Sequence, residues 1–374
     1  LQPLSGMILT IAALFICGFL AGYLMHRSDF CMAGAFRDLF LFRNSSMLKS
    51  LLILVATAAI LFEIEFLVGL IAIPFPFFGA PTYFGLFGGI LFGFGMVLSG
   101  GCVVGVLYKS GSGSRPAMTA LFGLVVGSGI YAEFHQTIVP LVSQMELTTS
   151  VTLPQLTGIA PFWWVLALAG GVLFWVRRWS RTGRLQRSFG AEGYIQPWKA
   201  ALLLALLVAL AAASSGLPFG VTTSYLKVAA LFEQILAPQH LATLPLFNEQ
   251  SVIHTIPFSG EALVGGAGPV LDVIALLQYP LIVGILLGAA WSSARLGEWS
   301  WRGHFPLAQV LTVFLGGILM AIGSRIAAGC NIWHIWGGLP IFALQSLLFL
   351  LGLFPGSWLG SLVIKRVILG RANG

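Results

Sequence analysis

An all-α integral membrane protein is what this sequence predicts, with about nine transmembrane helices and short re-entrant helices between them. Three observations carry that reading. Of 374 residues, 58% are hydrophobic and 8% are charged, and the mean hydropathy is +0.95. A soluble domain carries about 25% charged residues, so this chain could not cover a water-facing surface. Its apolar runs are roughly 15–25 residues long, the helix length that crosses ~30 Å of hydrocarbon, rather than the ~10-residue alternating segments of a β-barrel. The 46 glycines suit membrane helices that pack backbone to backbone.

The runs fall at 5–25, 50–72, 84–100, 117–134, 161–177, 198–214, 278–294, 307–328 and 340–364. The first has no basic segment before it and no small-residue cleavage site after it, so it reads as a span rather than a signal peptide. Arg27, Arg37, Arg43 and Lys49 follow the first run, and Lys109 and Arg115 the third. Residues 177–199 hold Arg177, Arg178, Arg181, Arg184, Arg187 and Lys199. Arg295, Arg302, Lys365, Arg366 and Arg371 come later, whereas 135–160 and 237–277 contain no Lys or Arg. By the positive-inside rule the N-terminus is periplasmic and the C-terminus cytoplasmic in a bacterial inner membrane. The net charge of +7 thus reports orientation and contact with lipid rather than a nucleic-acid partner. Two apolar stretches are not full spans, because Phe30–Phe42 carries Arg37 and Asp38 while Phe219–Leu236 carries Lys227 and Glu233. Both read as re-entrant helices, with an amphipathic surface helix as the alternative.

A repeat divides the chain. GGIL to Gly101-Cys102 (88–102) aligns without gaps on GGIL to Gly329-Cys330 (316–330), and seven of fifteen positions are identical, Gly95 with Gly323 among them. More weakly, SDFCMAG upstream of the first copy matches LPFGVTT upstream of the second, which sets Cys31 opposite Gly220. The charge-derived topology runs the two GGIL helices in opposite directions. The chain is therefore one transporter domain over 1–374, with half one at about 5–134, a connecting span and basic cytoplasmic loop at about 161–199, and an inverted half two at about 200–364.

Four cysteines lack CxxC or zinc-ligand spacing, so neither a disulfide framework, a metal nor another cofactor is expected. Cys17 lies mid-run and reads as a small buried hydrophobe. Cys31, Cys102 and Cys330 stand at chain breaks, the latter two directly after Gly101 and Gly329, where the backbone can turn and a substrate can approach. A helix N-terminus, as at Cys31, adds amide donors and partial positive charge that suit an anion. Ionisable groups within a membrane fold are functional candidates. Arg37 and Asp38 pair with each other or flank the inner mouth, and Arg325 attracts an anion from outside, with a structural ion pair equally open for each. His334, three residues after the supporting candidate Asn331, lines the outer vestibule, with a structural histidine equally open. Glu63 and Glu65 lie inside the second run without an assigned partner.

HRSDFCMAGAFRDLFLFR, the paired GGIL…SGGC and GGIL…AAGC helices and FGVTTSYLK occur in that order. Together they make the chain resemble the YeeE/YedE family of bacterial inner-membrane carriers of sulfur compounds, which take up thiosulfate. The resemblance implies an hourglass of inverted halves and a thiosulfate path lined by three cysteines, here Cys31, Cys102 and Cys330. It also implies a small cytosolic TusA-like sulfurtransferase as partner. A neutral thiol donates a weak S–H hydrogen bond to the soft terminal sulfur, and helix N-termini accept the oxyanion end. A thiolate would repel the dianion, so the thiols act protonated. Another sulfur or selenium species stays open as substrate, as does a membrane thiol-disulfide oxidoreductase. An ATP-driven permease subunit is a further rival, but no G-x-x-x-x-G-K loop occurs, so the chain does not itself hydrolyse ATP.

Overall fold

The computed structural model describes residues 2–187, 192–249, 252–301 and 305–369. Arg302 and Arg371 of the basic segments lie outside them. The first half comprises α1 (Gln2–Ser28), α2 (Met32–Phe42), α3 (Ser46–Leu67), α4 (Tyr83–Leu98), α5 (Val103–Gly111) and α6 (Arg115–Gln144). A one-turn α7 (Leu153–Thr157) and α8 (Pro161–Arg181) lead to α9 (Pro197–Ser215) and α10 (Thr222–Leu236). The short α11 (Pro238–Leu241) and α12 (Pro245–Asn248) precede an antiparallel hairpin, β1 (Val252–Thr255) with β2 (Ala262–Gly265). Then come α13 (Val273–Leu296), α14 (Leu307–Ile326), a π-helical stretch Ile332–Gly338 and α15 (Leu344–Val363).

Eight helical stretches among the described residues are long and apolar enough to cross a membrane. The remaining expected span is α8, whose 21 residues reach about 31 Å at 1.5 Å per residue. Its tryptophans and the terminal Arg177 and Arg178 lower its mean hydropathy, and its outward face shows Trp163, Phe174 and Trp175. The chain is an all-α, multi-pass membrane protein. Both stretches set aside as too polar to span are short helices, α2 and α10. Two further short helices, α5 and the π-helical stretch, follow Cys102 and Cys330 directly and were not anticipated.

Packing follows the repeat. α4 lies against α15 as α14 lies against α6, and α13 against α1 as α3 against α9, while α2 meets α15 as α10 meets α6. Each of these contacts has a counterpart in which an earlier and a later helix exchange roles. At the centre α4 and α14 cross antiparallel. A Cβ on Gly88 would stand 2.7 Å from the Gly323 carbonyl oxygen, and one on Gly95 would stand 2.7 Å from that of Gly316. Only glycine permits that approach, so the repeated glycines hold the crossing.

The two ends of the bundle differ. At the hairpin end, the fully buried Lys227 of α10 donates to Gly268 O and Val270 O, each at 2.9 Å, and to Asp272 Oδ2 at 2.6 Å. Asp272 in turn caps α13 by accepting from Ala275 N–H. His254 on β1 donates from Nε2 to the Ser215 carbonyl at 2.6 Å, and burial holds its pKa below the ordinary histidine value. At the basic end, Arg27 donates to Gly193 O at 2.7 Å, and Lys49 to Arg184 O at 3.2 Å. Tyr194 donates to Glu298 at 2.9 Å, and burial together with that carboxylate pushes its hydroxyl up to about 12.

Candidate functional site

Cys31, Cys102 and Cys330 share one local geometry. In each case a long helix ends, a residue takes a left-handed conformation two positions before the cysteine, and a short helix starts just after it. The left-handed residues are Asp29 (φ 49°), Gly100 (φ 69°) and Ala328 (φ 57°). Such a residue terminates a helix and turns the chain sharply. Cys31 and Cys102 are the N-cap residues of α2 and α5, and Cys330 immediately precedes the helical turn at Asn331. Gly105 N–H donates to Cys102 Sγ at 3.3 Å, while the amides of Ile332 and Trp333 face the Cys330 sulfur. Each sulfur therefore sits at the electropositive start of a helix. Lys109 supports the turn before Cys102 by donating to Gly100 O at 2.8 Å.

All three side chains are buried, Cys102 and Cys330 completely. The Cys31 and Cys102 sulfurs face each other across Gly105. A Cβ on Gly105 would stand 3.0 Å from Cys31 Sγ and 3.2 Å from Cys102 Sγ, so the missing side chain is what lets the two thiols meet. The Asn331 amide lies beside Cys102, and Tyr225 of α10 is within electrostatic reach of Cys102 and Cys330. Neither the Asn331 side chain, the Tyr225 hydroxyl nor the Trp336 indole nitrogen has a hydrogen-bond partner in the protein. A buried polar atom left so costs about 1–3 kcal/mol, a cost that a polar ligand at the waist would remove.

Two cavities approach this waist from opposite ends. The hairpin-end cavity, about 320 Å³, is walled by Leu14, Gly220, Thr222, Arg325, Gly329 and Trp333 among others. The basic-end cavity, about 230 Å³, is lined by His26, Asp29, Tyr108, Lys109, Ser112, Arg187 and Tyr194. Leu14 and His26 lie on the same helix, about 18 Å apart along α1. Arg325 makes no ion pair among the described residues, and its buried Nε has no hydrogen-bond partner.

Residues 27–359 match the sulphur transport family. The chain belongs to that family. Among curated proteins it is 29% identical over 375 aligned positions to the thiosulfate transporter TsuA of Spirochaeta thermophila, covering 94% of this chain and 98% of the relative. The Escherichia coli protein of the same name is 26% identical, with 92% and 93% covered. A probable transporter of Escherichia coli, YedE, is 35% identical over 139 positions, which cover 37% of this chain and 32% of that one.

This sulphur transport protein is thus a membrane transporter and not an enzyme, and its structure sorts the residues picked out from sequence. It gathers Cys31, Cys102, Gly101, Asn331, Cys330 and Gly329 around the waist and sets Arg325 in a cavity wall. Arg37 donates from Nε and Nη2 to Asp38 Oδ1 at 2.9 and 2.8 Å, so the two pair on α2 and line neither cavity. His334, open between a vestibule residue and a structural histidine, is fully buried. Its Nε2 donates to Ala327 O and its Nδ1 accepts from Ser346, both at 3.0 Å, while its ring stacks on Phe349. With both nitrogens engaged it holds the turn before Cys330 and has no polar edge left for a ligand. Glu63 faces a small pocket beside Pro161 and Phe342, away from the thiols. Glu65 is half-buried, and its Oε2 has no hydrogen-bond partner. Cys17 sits within regular helix in α1. Gly105, Tyr225 and Trp336 were missed. The repeat itself holds a signal for Trp336, which aligns with Tyr108.

Proposed function

We propose that this protein carries thiosulfate into the cytoplasm across the bacterial inner membrane, entering at the hairpin end and leaving at the basic end. The single observation behind this reading is the set of three buried thiols at helix starts, placed at a waist between two cavities. Arg325, unpaired in the hairpin-end wall, draws the dianion in. At the waist the neutral S–H groups donate to the soft terminal sulfur, while helix-start amides and the Asn331 amide take the sulfonate oxygens. No single site offers a full charge partner, so binding stays weak enough for the anion to move on. Support for thiosulfate itself comes from the two relatives of that name, which match nearly end to end. The basic segments point their end of the bundle to the cytoplasm, where a TusA-like sulfurtransferase takes over the sulfur.

The test is uptake of radiolabelled thiosulfate by cells and by proteoliposomes containing the purified chain, with sulfate, selenite and thiocyanate as competitors. Saturable uptake that sulfate does not suppress is expected. Equal competition by sulfate would remove the soft-sulfur argument, and uptake of selenite in place of thiosulfate would reassign the substrate. Disulfides formed and reduced in step with turnover, seen as mass shifts after alkylation, would favour thiol-disulfide exchange instead.

A further inference from the structure

The alignment that pairs Cys102 with Cys330 also pairs Gly105 with Trp333. In the first half, the empty position at Gly105 leaves two sulfurs face to face. In the second, an indole fills the corresponding space. Its six-membered ring would lie 3.6 Å from a Cβ built on Gly220, and its five-membered ring leaves no room for one on Gly329. Trp333 stacks on Phe78, with centroids 4.6 Å apart and planes 8° from parallel. It is half-buried and borders the hairpin-end cavity. Behind it Cys330 is fully buried and faces the backbone amide of Trp333 itself. The indole therefore stands with Gly329 in the cavity wall next to the first thiol.

We propose that the Trp333–Phe78 stack is the gate of the hairpin-end cavity and sets the size of anion admitted to the waist. The proposal rests on the transport reading above and adds a specificity-determining pair to it. The two stacked ring faces carry no charge and the indole N–H is their one donor, so the gate holds an anion only weakly and excludes chiefly by volume and by dewetting. Phe78 lies on the connection between α3 and α4, outside any helix, and the cavity gives the indole space to swing into. Opening then means breaking one offset aromatic pair while the flanking helices stay packed. The second half holds a door where the first half holds an open contact.

The experiment is labelling of the detergent-solubilised full chain by an anionic methanethiosulfonate, followed at each cysteine by peptide mass spectrometry. Trp333→Gly is expected to raise the labelling rate of Cys330 about tenfold, the factor that matches loss of an aromatic stack. Phe78→Ala should raise it as well, Trp333→Phe should stay near wild type, and Cys17 should not change in any variant. In uptake assays a longer polythionate should compete with thiosulfate in Trp333→Gly but not in wild type. Unchanged Cys330 labelling in both Trp333→Gly and Phe78→Ala, with each variant monodisperse, would overturn the gate. Raised labelling without thiosulfate uptake by any variant or the wild type would instead sink the transport reading and leave the gate standing.

Discussion

The two turns that follow α4 and α14 share a left-handed residue two positions before the cysteine and differ in chemistry. Around the first-half turn stand Val97, Gly100, Val103 and Gly105, with Cys31 alongside. Around the second stand Arg325, Ala328, Asn331 and Trp333, with Gly220 where the first half has Cys31. One turn thus gives a pair of buried thiols with Asp29 and Lys109 close by, and the other gives a single thiol with Arg325 and an indole nearby, its Asn331 amide lying beside Cys102. Duplicated geometry supplies the fixed sulfur positions. In the proposed transport cycle, the exchanged side chains let one end collect and screen an anion and the other pass it on.

The sharpest way to break this comparison is at the sulfurs. Cys31→Ala, Cys102→Ala and Cys330→Ala should each lower thiosulfate uptake by roughly ten- to hundredfold, the worth of a hydrogen bond to a charged group. Cys17→Ala should transport like wild type, and equal losses at all four positions would return the cysteines to plain packing. Cys102→Ser and Cys330→Ser separate soft donation from pore width. Serine keeps the size of the side chain but not its polarizable donor, so both variants should fail nearly as fully as alanine. Full activity of both would remove the thiol relay.

The next effects test the exchanged residues. Asn331→Val copies the first-half residue and should cut uptake about tenfold while leaving the protein folded, because it removes two unpartnered buried atoms. Arg325→Gln should raise KM about tenfold with little change in maximal rate, and the salt dependence of uptake should flatten. A KM that does not move would take Arg325 out of the entry path. Ala328→Gly copies Gly100 and relieves a left-handed alanine, worth about 1 kcal/mol. A higher Tm with unchanged uptake is expected, and the reverse swap, Gly100→Ala, should lower it.

The smallest effect is a pH dependence at the hairpin end. His240 lies 2.6 Å from Glu233 and 3.6 Å from Glu133, and its pKa is raised, first by the bond to Glu233 and then by the charge of Glu133. A raised folded pKa means that the tether is fully present below the unfolded value of about 6.5 and fades as pH climbs through the folded one. Hydrogen exchange in α11 should speed up over that upward window in wild type. In His240→Gln it should keep no such step.

Much of this plan could be read from the sequence. The run at 198–214 is α9 at 197–215, and the charge-poor stretch after 237 is the hairpin end. α6 runs ten residues beyond its apolar run because the helix continues past Glu133 and His135 to Gln144. α5 and the π-helical stretch escaped notice because nine and seven residues are too few for a periodic signal. Cys31 and Cys102 meet through tertiary packing that no spacing records. The two readings of His334 could not be separated in sequence because its partners, Ser346 and the Ala327 carbonyl, are brought to it only by the fold. The sequence marked where the thiols sit, and tertiary contacts decided which neighbours reach them.

The crossing of α4 on α14 has a consequence for how this architecture can diversify. At Gly88, Gly95, Gly316 and Gly323 backbone meets backbone, so no side-chain volume remains there for selection to trim or enlarge. The cavity walls on either side, by contrast, are made of side chains that can be exchanged singly. A saturation scan scored by surface expression should therefore show four near-intolerant positions at the centre of a permissive surround. Alanine at any of them should already cost yield, whereas cavity residues such as Thr222 should accept most small replacements. A lineage of such transporters is then free to change what it admits while keeping the same pivot.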